Sequence, residues 1–333
     1  FFKQKTAYEI RNCDWSSDVC SSDLSTVDSD GGTARALTIT AGSSTPTVRF
    51  NNTVGGTNPL GAIAITGALD LNAIIQKTSD SSAGAASLTV SGVSDLGANV
   101  NTSGIQTYSG AVTLSGADRT LTGTTITNSS TIAGGTNSLT ITGASVINGA
   151  ISGVNIFSVS GTTSIGANVT TSGTQTYTGA VTIAGTAATR TLTATSSTIT
   201  FSSTVDSTAS QANNLTFGAG SGNVTFAGAV GTGTNGALGT ITDIAGQTVT
   251  FSDAVTATTI ANYGTLLFNA TSAKTISPAI TDNGTTTIQV ISNSDSNISL
   301  ITFSSNVAAD TITIGSDRKS TRLNSSHSSV SRM

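Results

Sequence analysis

The sequence predicts an all-β protein whose fold is a parallel β-helix, or β-solenoid, of about twelve turns. Three observations lead to this fold. One long segment occurs twice, aromatic residues recur at a regular spacing, and apolar residues alternate with threonine along short segments. Glycine and asparagine separate these segments, as expected for short strands that are joined by turns.

The repeated segment reads GANVNTSGIQTYSGAVTL at Gly97–Leu114 and GANVTTSGTQTYTGAVTI at Gly166–Ile183. The copies are identical at 14 of 18 positions, lie 69 positions apart, and extend into repeat units at residues 88–114 and 157–183. This offset equals three units of about 23 positions, which predicts turns of about that length. Four glycines fall at the predicted corners and are expected to adopt left-handed backbone conformations there. They are Gly104, Gly110, Gly173 and Gly179.

The aromatic spacing involves Phe201, Phe226 and Phe251, which follow one another at a constant interval of 25 positions and each end a short segment of alternating apolar and hydroxyl or amide residues. Alternation with a period of two predicts strands with Val, Ile and Phe on the inner face and Thr on the outer face. If each strand stacks on the strand one turn later, the three phenylalanines form one contiguous column. Similar segments end at Phe50, Phe217 and Phe303.

Tandem Ig-like β-sandwiches are the alternative fold, because they also consist of short strands with glycine-rich turns. Sandwich domains repeat at about 100 residues, so a period of about two dozen residues favours the solenoid. Strand pairing separates the two folds. Hairpins pair consecutive strands, whereas the solenoid predicted here pairs each strand with one about 23 residues further along the chain.

Both ends of the chain resemble translated sequencing-library adapter, read from opposite DNA strands. The matching segments are KQKTAYEI at Lys3–Ile10, DWSSDVCSSDL at Asp14–Leu24 and DRKSTRLNSSH at Asp317–His327. The residues encoded by the variable index of the adapter at the two ends agree with a single index sequence. We therefore expect residues 1–24 and 317–333 to have no native fold and to pack poorly, Trp15 included, and we assign the solenoid to residues 25–316.

The composition of residues 25–316 limits the classes of function. This interior contains no Cys, His, Trp, Met or Glu, which excludes Ser-His-Asp and Cys-His catalytic sites. Six basic residues against twelve aspartates provide no basic stripe for nucleic acid, and no apolar run has the roughly 20 residues of a membrane helix. We predict no enzymatic activity, no catalytic, cofactor-binding or metal-binding residues, no nucleic-acid partner and no transmembrane segment.

A few residues remain as candidates for a site. Asp28, Asp30 and the pair Asp118–Arg119 are the acidic and basic groups that we weighed for catalysis, and we expect them on the solvated surface. Tyr108 and Tyr177 are equivalent positions of the repeat. They either stack along one flank of the coil or form a row that a sugar or protein partner contacts.

The segments TSGIQTYSGAVT at Thr102–Thr113 and TSGTQTYTGAVT at Thr171–Thr182 resemble the repeat of very large bacterial surface proteins of the filamentous-haemagglutinin and autotransporter-adhesin type. The similarity is specific over Leu88–Ile183 and compositional elsewhere. It implies a right-handed β-helical stalk at the cell surface or outside the cell, with glycans or proteins of host or neighbouring cells as partners. The alternative is a fragment of a carbohydrate-active β-helix enzyme whose catalytic loops lie outside this chain.

Overall fold

The computed structural model describes residues 8–11, 26–41, 47–234, 236–292 and 301–314. In these residues the chain contains no helix and forms a parallel β-solenoid of about 12 turns. The chain divides into two compact units, residues 1–161 and 162–333. The predicted fold class is therefore confirmed.

The first unit contains fifteen strands among its described residues. They are β1 (Tyr8–Arg11), β2 (Leu37–Thr40), β3 (Thr47–Phe50), β4 (Leu60–Thr66), β5 (Ala68–Leu71), β6 (Ala85–Val90), β7 (Ser94–Leu96), β8 (Val100–Asn101), β9 (Gln106–Tyr108), β10 (Val112–Leu114), β11 (Arg119–Asn128), β12 (Ile132–Ala133), β13 (Leu139–Ile147), β14 (Ile151–Val154) and β15 (Phe157–Val159).

The second unit contains eighteen strands among its described residues. They are β16 (Thr163–Ile165), β17 (Val169–Thr171), β18 (Gln175–Tyr177), β19 (Val181–Ile183), β20 (Thr189–Ala194), β21 (Ile199–Phe201), β22 (Val205–Ser207), β23 (Asn214–Phe217), β24 (Val224–Phe226), β25 (Leu238–Thr242), β26 (Thr248–Phe251), β27 (Ala257–Asn262), β28 (Thr265–Ala270), β29 (Lys274–Ile276), β30 (Ala279–Asp282), β31 (Thr287–Ser292), β32 (Ile301–Phe303) and β33 (Thr311–Ile314).

From β2 onward, strands pair in parallel with the strand one turn later rather than with the next strand in sequence. In the first unit β3, β5, β7, β10, β12 and β14 form one such ladder. In the second unit β18, β21, β24, β26, β28, β31 and β33 form another. A turn contributes two or three strands, for example β10 and β11 or β16, β17 and β18, and the inward residues of these strands are buried. This pairing contradicts the Ig-like alternative, which requires antiparallel hairpins.

The predicted aromatic column is present in the second unit. Phe201 pairs with Phe226, and Phe226 pairs with Phe251, one turn further each time. The column also includes Tyr177 and Phe268, and the four successive ring-centroid distances are 5.1, 4.8, 5.0 and 5.5 Å. Each stacked pair contributes about 0.5–1.5 kcal/mol beyond the burial of its area. Alternation along each strand therefore produces a continuous aromatic core along one side of the coil.

The length of a turn varies more than the sequence prediction allows. Paired residues are 17 positions apart at Val249 and Leu266 but 26 apart at Leu37 and Ile63. The buried strand segments stay short and the corner loops absorb the difference, because loops of different length cost little extra free energy when they lie at the surface.

The repeat unit itself has shorter turns than predicted. Leu88 pairs with Gln106, Gln106 with Ile126, and Ile126 with Ser145. Three successive turns from Leu88 therefore end at Ser145, before the second repeat unit begins at residue 157. The offset between the two copies is therefore not three turns of equal length. Leu88–Ala117 reads LTVSGV, SDLGAN, VNTSGI, QTYSGA, VTLSGA, with one such group for each side of the coil. The first and third residues of each group are buried: Leu88, Val90, Ser94, Leu96, Val100, Thr102, Gln106, Tyr108, Val112 and Leu114.

The corner glycines have a different role from the predicted one. None of Gly104, Gly110, Gly173 and Gly179 has a positive φ. At Gly110 a Cβ atom would lie 2.3 Å from the carbonyl oxygen of Gly92, in the preceding turn. Glycine is therefore required at this corner because successive turns approach closely, and not because of the backbone conformation.

The segments predicted to be adapter-derived lie largely outside the described residues, and Trp15 is among those. Within the N-terminal segment, Tyr8–Arg11 forms a strand that pairs in parallel with Leu37–Thr40. The adapter origin of residues 1–24 and 317–333 stays a prediction.

Candidate binding face and buried corners

The two tyrosines of the repeat lie in the core. Their exposed fractions are 1% for Tyr108 and 0% for Tyr177, so neither side chain is accessible to a sugar or protein partner. Tyr108 stands between Val90 and Asn128 in its ladder, and it does not stack on another tyrosine. The prediction of an external tyrosine row is wrong because Gln and Tyr of the Gln-Thr-Tyr strand point inward and the threonine between them points outward.

Each tyrosine belongs to a buried hydrogen-bond network. In the first unit the Tyr108 hydroxyl donates to Gln106 Oε1 at 3.0 Å, and Gln106 Nε2 donates to the carbonyl oxygen of Thr122 at 2.7 Å. In turn, Gln106 Nε2 lies 3.2 Å from Thr102 Oγ1, whose hydroxyl donates to the carbonyl oxygen of Gly104. The network thus joins β9, the corner at Gly104 that precedes it, and β11 in the next turn.

The same network occurs in the second unit, where Tyr177 donates to Gln175 Oε1 at 3.0 Å and Gln175 Nε2 donates to the carbonyl oxygen of Thr193 at 2.8 Å. Thr171 takes the role of Thr102 and donates to the carbonyl oxygen of Gly173. Burial raises the pKa of both tyrosines far above the usual range, so the hydroxyls stay protonated and act as donors. The identical Thr-Ser-Gly-x-Gln-Thr-Tyr of the two copies thus encodes a satisfied polar core.

The outer surface of the aromatic column is an array of threonines. Thr176 pairs with Thr200, Thr200 with Thr225 and Thr225 with Thr250, so four threonines stand in one column over four successive strands. The residue two positions earlier on each strand also points outward. We call these eight outward residues the threonine face: Thr174, Thr176, Thr198, Thr200, Asn223, Thr225, Thr248 and Thr250.

The threonine face is uncharged and exposed in part. Thr198 and Asn223 are exposed, and the other six are partly exposed. Asn223 Oδ1 accepts a hydrogen bond from the backbone N–H of Thr248 at 3.0 Å, which fixes the amide on the face. None of its seven threonine hydroxyls has a hydrogen-bond partner within the described part of the chain. The face therefore presents methyl and hydroxyl groups to solvent at a regular spacing.

The aspartates that we weighed for catalysis hold loops and neighbouring turns together. Asp30 forms an ion pair with Arg35 at 2.8 Å, and this hydrogen-bonded guanidinium lowers the pKa of the carboxyl group. The carboxylate of Asp28 accepts from the backbone N–H of Thr57, in the next turn. Asp118 likewise accepts from the N–H of Ser138 at 2.7 Å. Each of the three carboxylates is therefore engaged in a contact that stabilises the fold.

Arg119 departs from the expectation of a solvated side chain. Only 9% of the residue is exposed, and its guanidinium donates to the carbonyl oxygens of Leu96, at 2.8 Å, and Ser115. Desolvation lowers the pKa of this guanidinium, although the nearby carboxylate of Asp118 opposes the shift. A third backbone carbonyl, that of Asp118, also accepts from the guanidinium, so the buried charge has hydrogen-bond partners.

A buried carboxyl group lies at a corner of the second unit. Asp243 is 1% exposed, and its Oδ1 accepts from the backbone N–H of Tyr263, while Oδ2 is buried without a hydrogen-bond partner. Thr242 pairs with Ala261, so Asp243 and Asn262 are neighbours in successive turns. Burial raises the pKa of Asp243 to about 6, although hydrogen bonds from the backbone N–H groups of Tyr263 and Gly264 oppose the shift. The sequence signal for this site is weak, since Asp in a turn usually lies in solvent.

Asp243→Asn is expected to change the pH dependence of stability. The folded state binds the Asp243 proton more tightly than the unfolded state, so this group stabilises the fold most at low pH and loses that contribution as pH rises from about 4 to about 6. The variant keeps the acceptor for Tyr263 and removes the buried charge. Relative to the parent it should gain about 3 kcal/mol of unfolding free energy above about pH 7 and little near about pH 4. Urea denaturation across this range measures the difference.

Asp80→Asn is the matched control. Hydrogen bonds from Ser82 lower the pKa of the exposed Asp80 carboxyl to about 2, so its titration lies below the window of Asp243. Stability curves of Asp243→Asn and the parent that run parallel from about pH 4 to about pH 7 would contradict the assignment.

The described residues contain no group of three or more His, Cys, Asp or Glu side chains that could hold a metal ion. In the same part of the chain no helix is long and apolar enough to cross a membrane. Cys13 and Cys20 lie outside the described residues. The arrangement thus offers a patterned outer face and buried structural polar groups.

The structure defines the class of protein as a parallel β-solenoid with an aromatic core column and a threonine outer face. Comparison with known proteins gives no match to a family model, to a curated protein or to a solved structure.

Outward threonines were predicted for single strands, but their assembly into one threonine face was not, although its signal is present in the sequence. The same segments that predict the inner phenylalanines, such as Thr198–Phe201 and Thr248–Phe251, carry Thr at both outward positions. The face becomes visible only when the segments are aligned by the pairing of their strands.

Proposed function

We propose that this chain is a non-catalytic structural segment of a secreted or cell-surface bacterial adhesin, which spaces and displays adhesive parts of a larger protein. The observation that carries the proposal is the aromatic column, which links five successive turns of the second unit through stacked rings 4.8 to 5.5 Å apart. Each turn depends on its neighbours for a core, so the fold grows by addition of turns, as a spacer requires.

The resemblance of Thr102–Thr113 and Thr171–Thr182 to adhesin repeats supports the location outside the cell or at its surface. Its partners in this proposal are glycans or proteins of host or neighbouring cells. The chain needs no metal or cofactor for a spacing role, since the hydrogen bonds and ring stacks that hold it together come from its own residues.

Pulling the chain from residues near its described ends by single-molecule force spectroscopy tests the mechanical role. We expect successive events that each release one turn or a few turns, at roughly 60 to 90 Å per turn, and refolding on relaxation. Release of a whole unit in one event at very low force would contradict a spacer.

A polysaccharide-degradation assay separates the spacer from the enzyme alternative. The purified chain is incubated with acidic and neutral polysaccharides, and new reducing ends and unsaturated products are measured. We expect no turnover. Turnover that is lost in Asp28→Asn, Asp30→Asn or Asp118→Asn would favour a carbohydrate-active β-helix enzyme.

A further inference from the structure

We propose that the threonine face binds ice, that is, the ordered lattice of water molecules at an ice surface. The proposal concerns the eight outward residues of four successive strands in the second unit, and it goes beyond the spacer function. Four properties of the face support ice binding: its two spacings, its expected flatness, its hydroxyl and methyl groups, and its lack of charge.

The face has two regular spacings. Across the strands, paired threonines such as Thr200 and Thr225 are one strand apart, about 4.8 Å. The ring-centroid distances behind them, 4.8 and 5.0 Å at Phe226, agree with this value. Along a strand, Thr198 and Thr200 are two positions apart, which is about 6.7 Å. The hydroxyls and methyls therefore form a nearly rectangular net.

Ice has similar spacings for a simple geometric reason. Each water oxygen has four neighbours in tetrahedral directions at the ordinary O–H···O distance of about 2.75 Å. Second neighbours are then about 4.5 Å apart, and the repeat along the hexagonal axis is about 7.3 Å, both from the same bond length and the tetrahedral angle. The two spacings of the threonine face match these two repeats to within about a tenth.

A rigid, flat surface is required if several groups are to match a lattice at once. Ordinary sheets twist by about 20 to 25° per strand. Behind this face, consecutive rings from Tyr177 to Phe251 are inclined to one another by only 11, 8 and 4°. These small angles between rings on the inner side of the same strands favour a nearly flat outer side. Threonine adds local rigidity, because its branched Cβ restricts χ1.

The chemistry of the face suits ordered water. Each threonine offers a hydroxyl that hydrogen-bonds water and a methyl group that water must surround. No residue of the face is charged, so no ion imposes its own hydration geometry on the adjacent water. The hydroxyls have no partner within the described chain and are available to the lattice.

A crystalline polysaccharide is the competing occupant of a flat, regular face. Sugar rings stack on exposed aromatic rings, but every aromatic residue of these strands points inward and is buried, with Phe201, Phe226 and Phe251 at most 1% exposed. The face thus lacks the platform for sugars, and the observations favour ice.

Ice-affinity partition tests the proposal. The purified full chain, carrying a fluorescent label, is held against a slowly growing ice surface, and its fraction in the ice is compared with that of an inert globular protein. We expect the chain to be enriched in the ice and to retard recrystallisation of small ice grains. Exclusion from the ice to the level of the inert protein would overturn the proposal.

Substitutions locate the binding to the face. Thr225→Tyr places a bulky group in the centre of the face on a strand that tolerates tyrosine, and we expect it to abolish the enrichment. Thr182→Tyr is the matched control, because Thr182 also points outward and is exposed, but it lies in β19, where its partners are Ser164 and Asp206 rather than threonines. It should partition like the parent. Equal partition of parent and Thr225→Tyr would contradict the assignment.

Two further arms keep the outcome decisive. Circular dichroism and thermal unfolding check that each variant is folded. If Thr225→Tyr does not fold, Thr225→Ser replaces it in the test. Because Thr225→Ser removes one methyl group from the face, we expect it to weaken the enrichment in ice. A parallel pull-down uses crystalline cellulose. Retention on cellulose that Thr225→Tyr abolishes, together with exclusion from ice, would assign the face to a polysaccharide instead.

Discussion

Phe226→Ala is expected to lower the unfolding free energy of the second unit by about 4 kcal/mol, the largest effect of any single substitution considered. The ring is fully buried and lies between Phe201, at 4.8 Å, and Phe251, at 5.0 Å. Removal leaves a cavity and breaks two stacked pairs, each of about 0.5–1.5 kcal/mol. Urea denaturation, followed by circular dichroism, measures the loss.

Phe226→Leu is the matched control, since leucine fills part of the cavity and keeps the inward apolar group. It should cost clearly less than alanine, because the residual cavity is smaller. Hydrogen exchange should show the loss of protection centred on β21, β24 and β26, the three strands that carry the stacked rings. A loss below about 1 kcal/mol for Phe226→Ala would contradict a continuous core column.

Gly110→Ala is expected to destabilise the first unit by about 3 kcal/mol. The new Cβ atom would lie 2.3 Å from the carbonyl oxygen of Gly92 and 2.6 Å from the backbone nitrogen of Val93. Both are backbone atoms of the preceding turn, so relief requires the two turns to move apart and weakens the hydrogen bonds between them. Thermal and urea unfolding measure the effect.

Gly32→Ala is the control for the change of residue type. Nothing lies within 4 Å of the position of its Cβ atom, and its φ is not positive. The substitution should therefore change stability by no more than about 0.5 kcal/mol. Equal effects of Gly110→Ala and Gly32→Ala would show that the corner is not closely packed.

Much of the fold was predictable because each strand carries its own pattern. The segments that end at Phe50, Phe217, Phe226 and Phe251 alternate with a period of two, and all are strands with buried inner residues. Their recurrence predicted the stacking of successive turns and the aromatic column, and the parallel register confirms both.

The turn length was less predictable, because the corner loops do not follow a rule. The repeat at Leu88–Ala117 contains a shorter internal period, one group for each side of the coil, that would have predicted the short turn from Leu88 to Gln106. The much longer offset between the two copies of the repeat obscured that period. Corner glycines were predicted at the right places but for the wrong reason, since close approach between turns is not visible in one turn alone.

The candidate site depended on which side of each strand faces the core. Tyr108 and Tyr177 were expected on a flank, yet alternation within Gln-Thr-Tyr allows either face to point inward. The inward choice follows from the hydrogen bonds of Gln106 and Gln175 to the next turn, and those partners are distant in sequence.

The sequence by itself determined that the chain consists of short strands with one apolar and one threonine-rich side, and that equivalent side chains recur from turn to turn. These properties are local, because alternation and turn residues act over a few positions. Only the tertiary structure decided the register of the turns, and with it the threonine face, the buried tyrosines and the raised pKa of Asp243. The physical reason is that burial, ring stacking and hydrogen bonding between turns join residues about 17 to 26 positions apart, a separation set by loops of variable length.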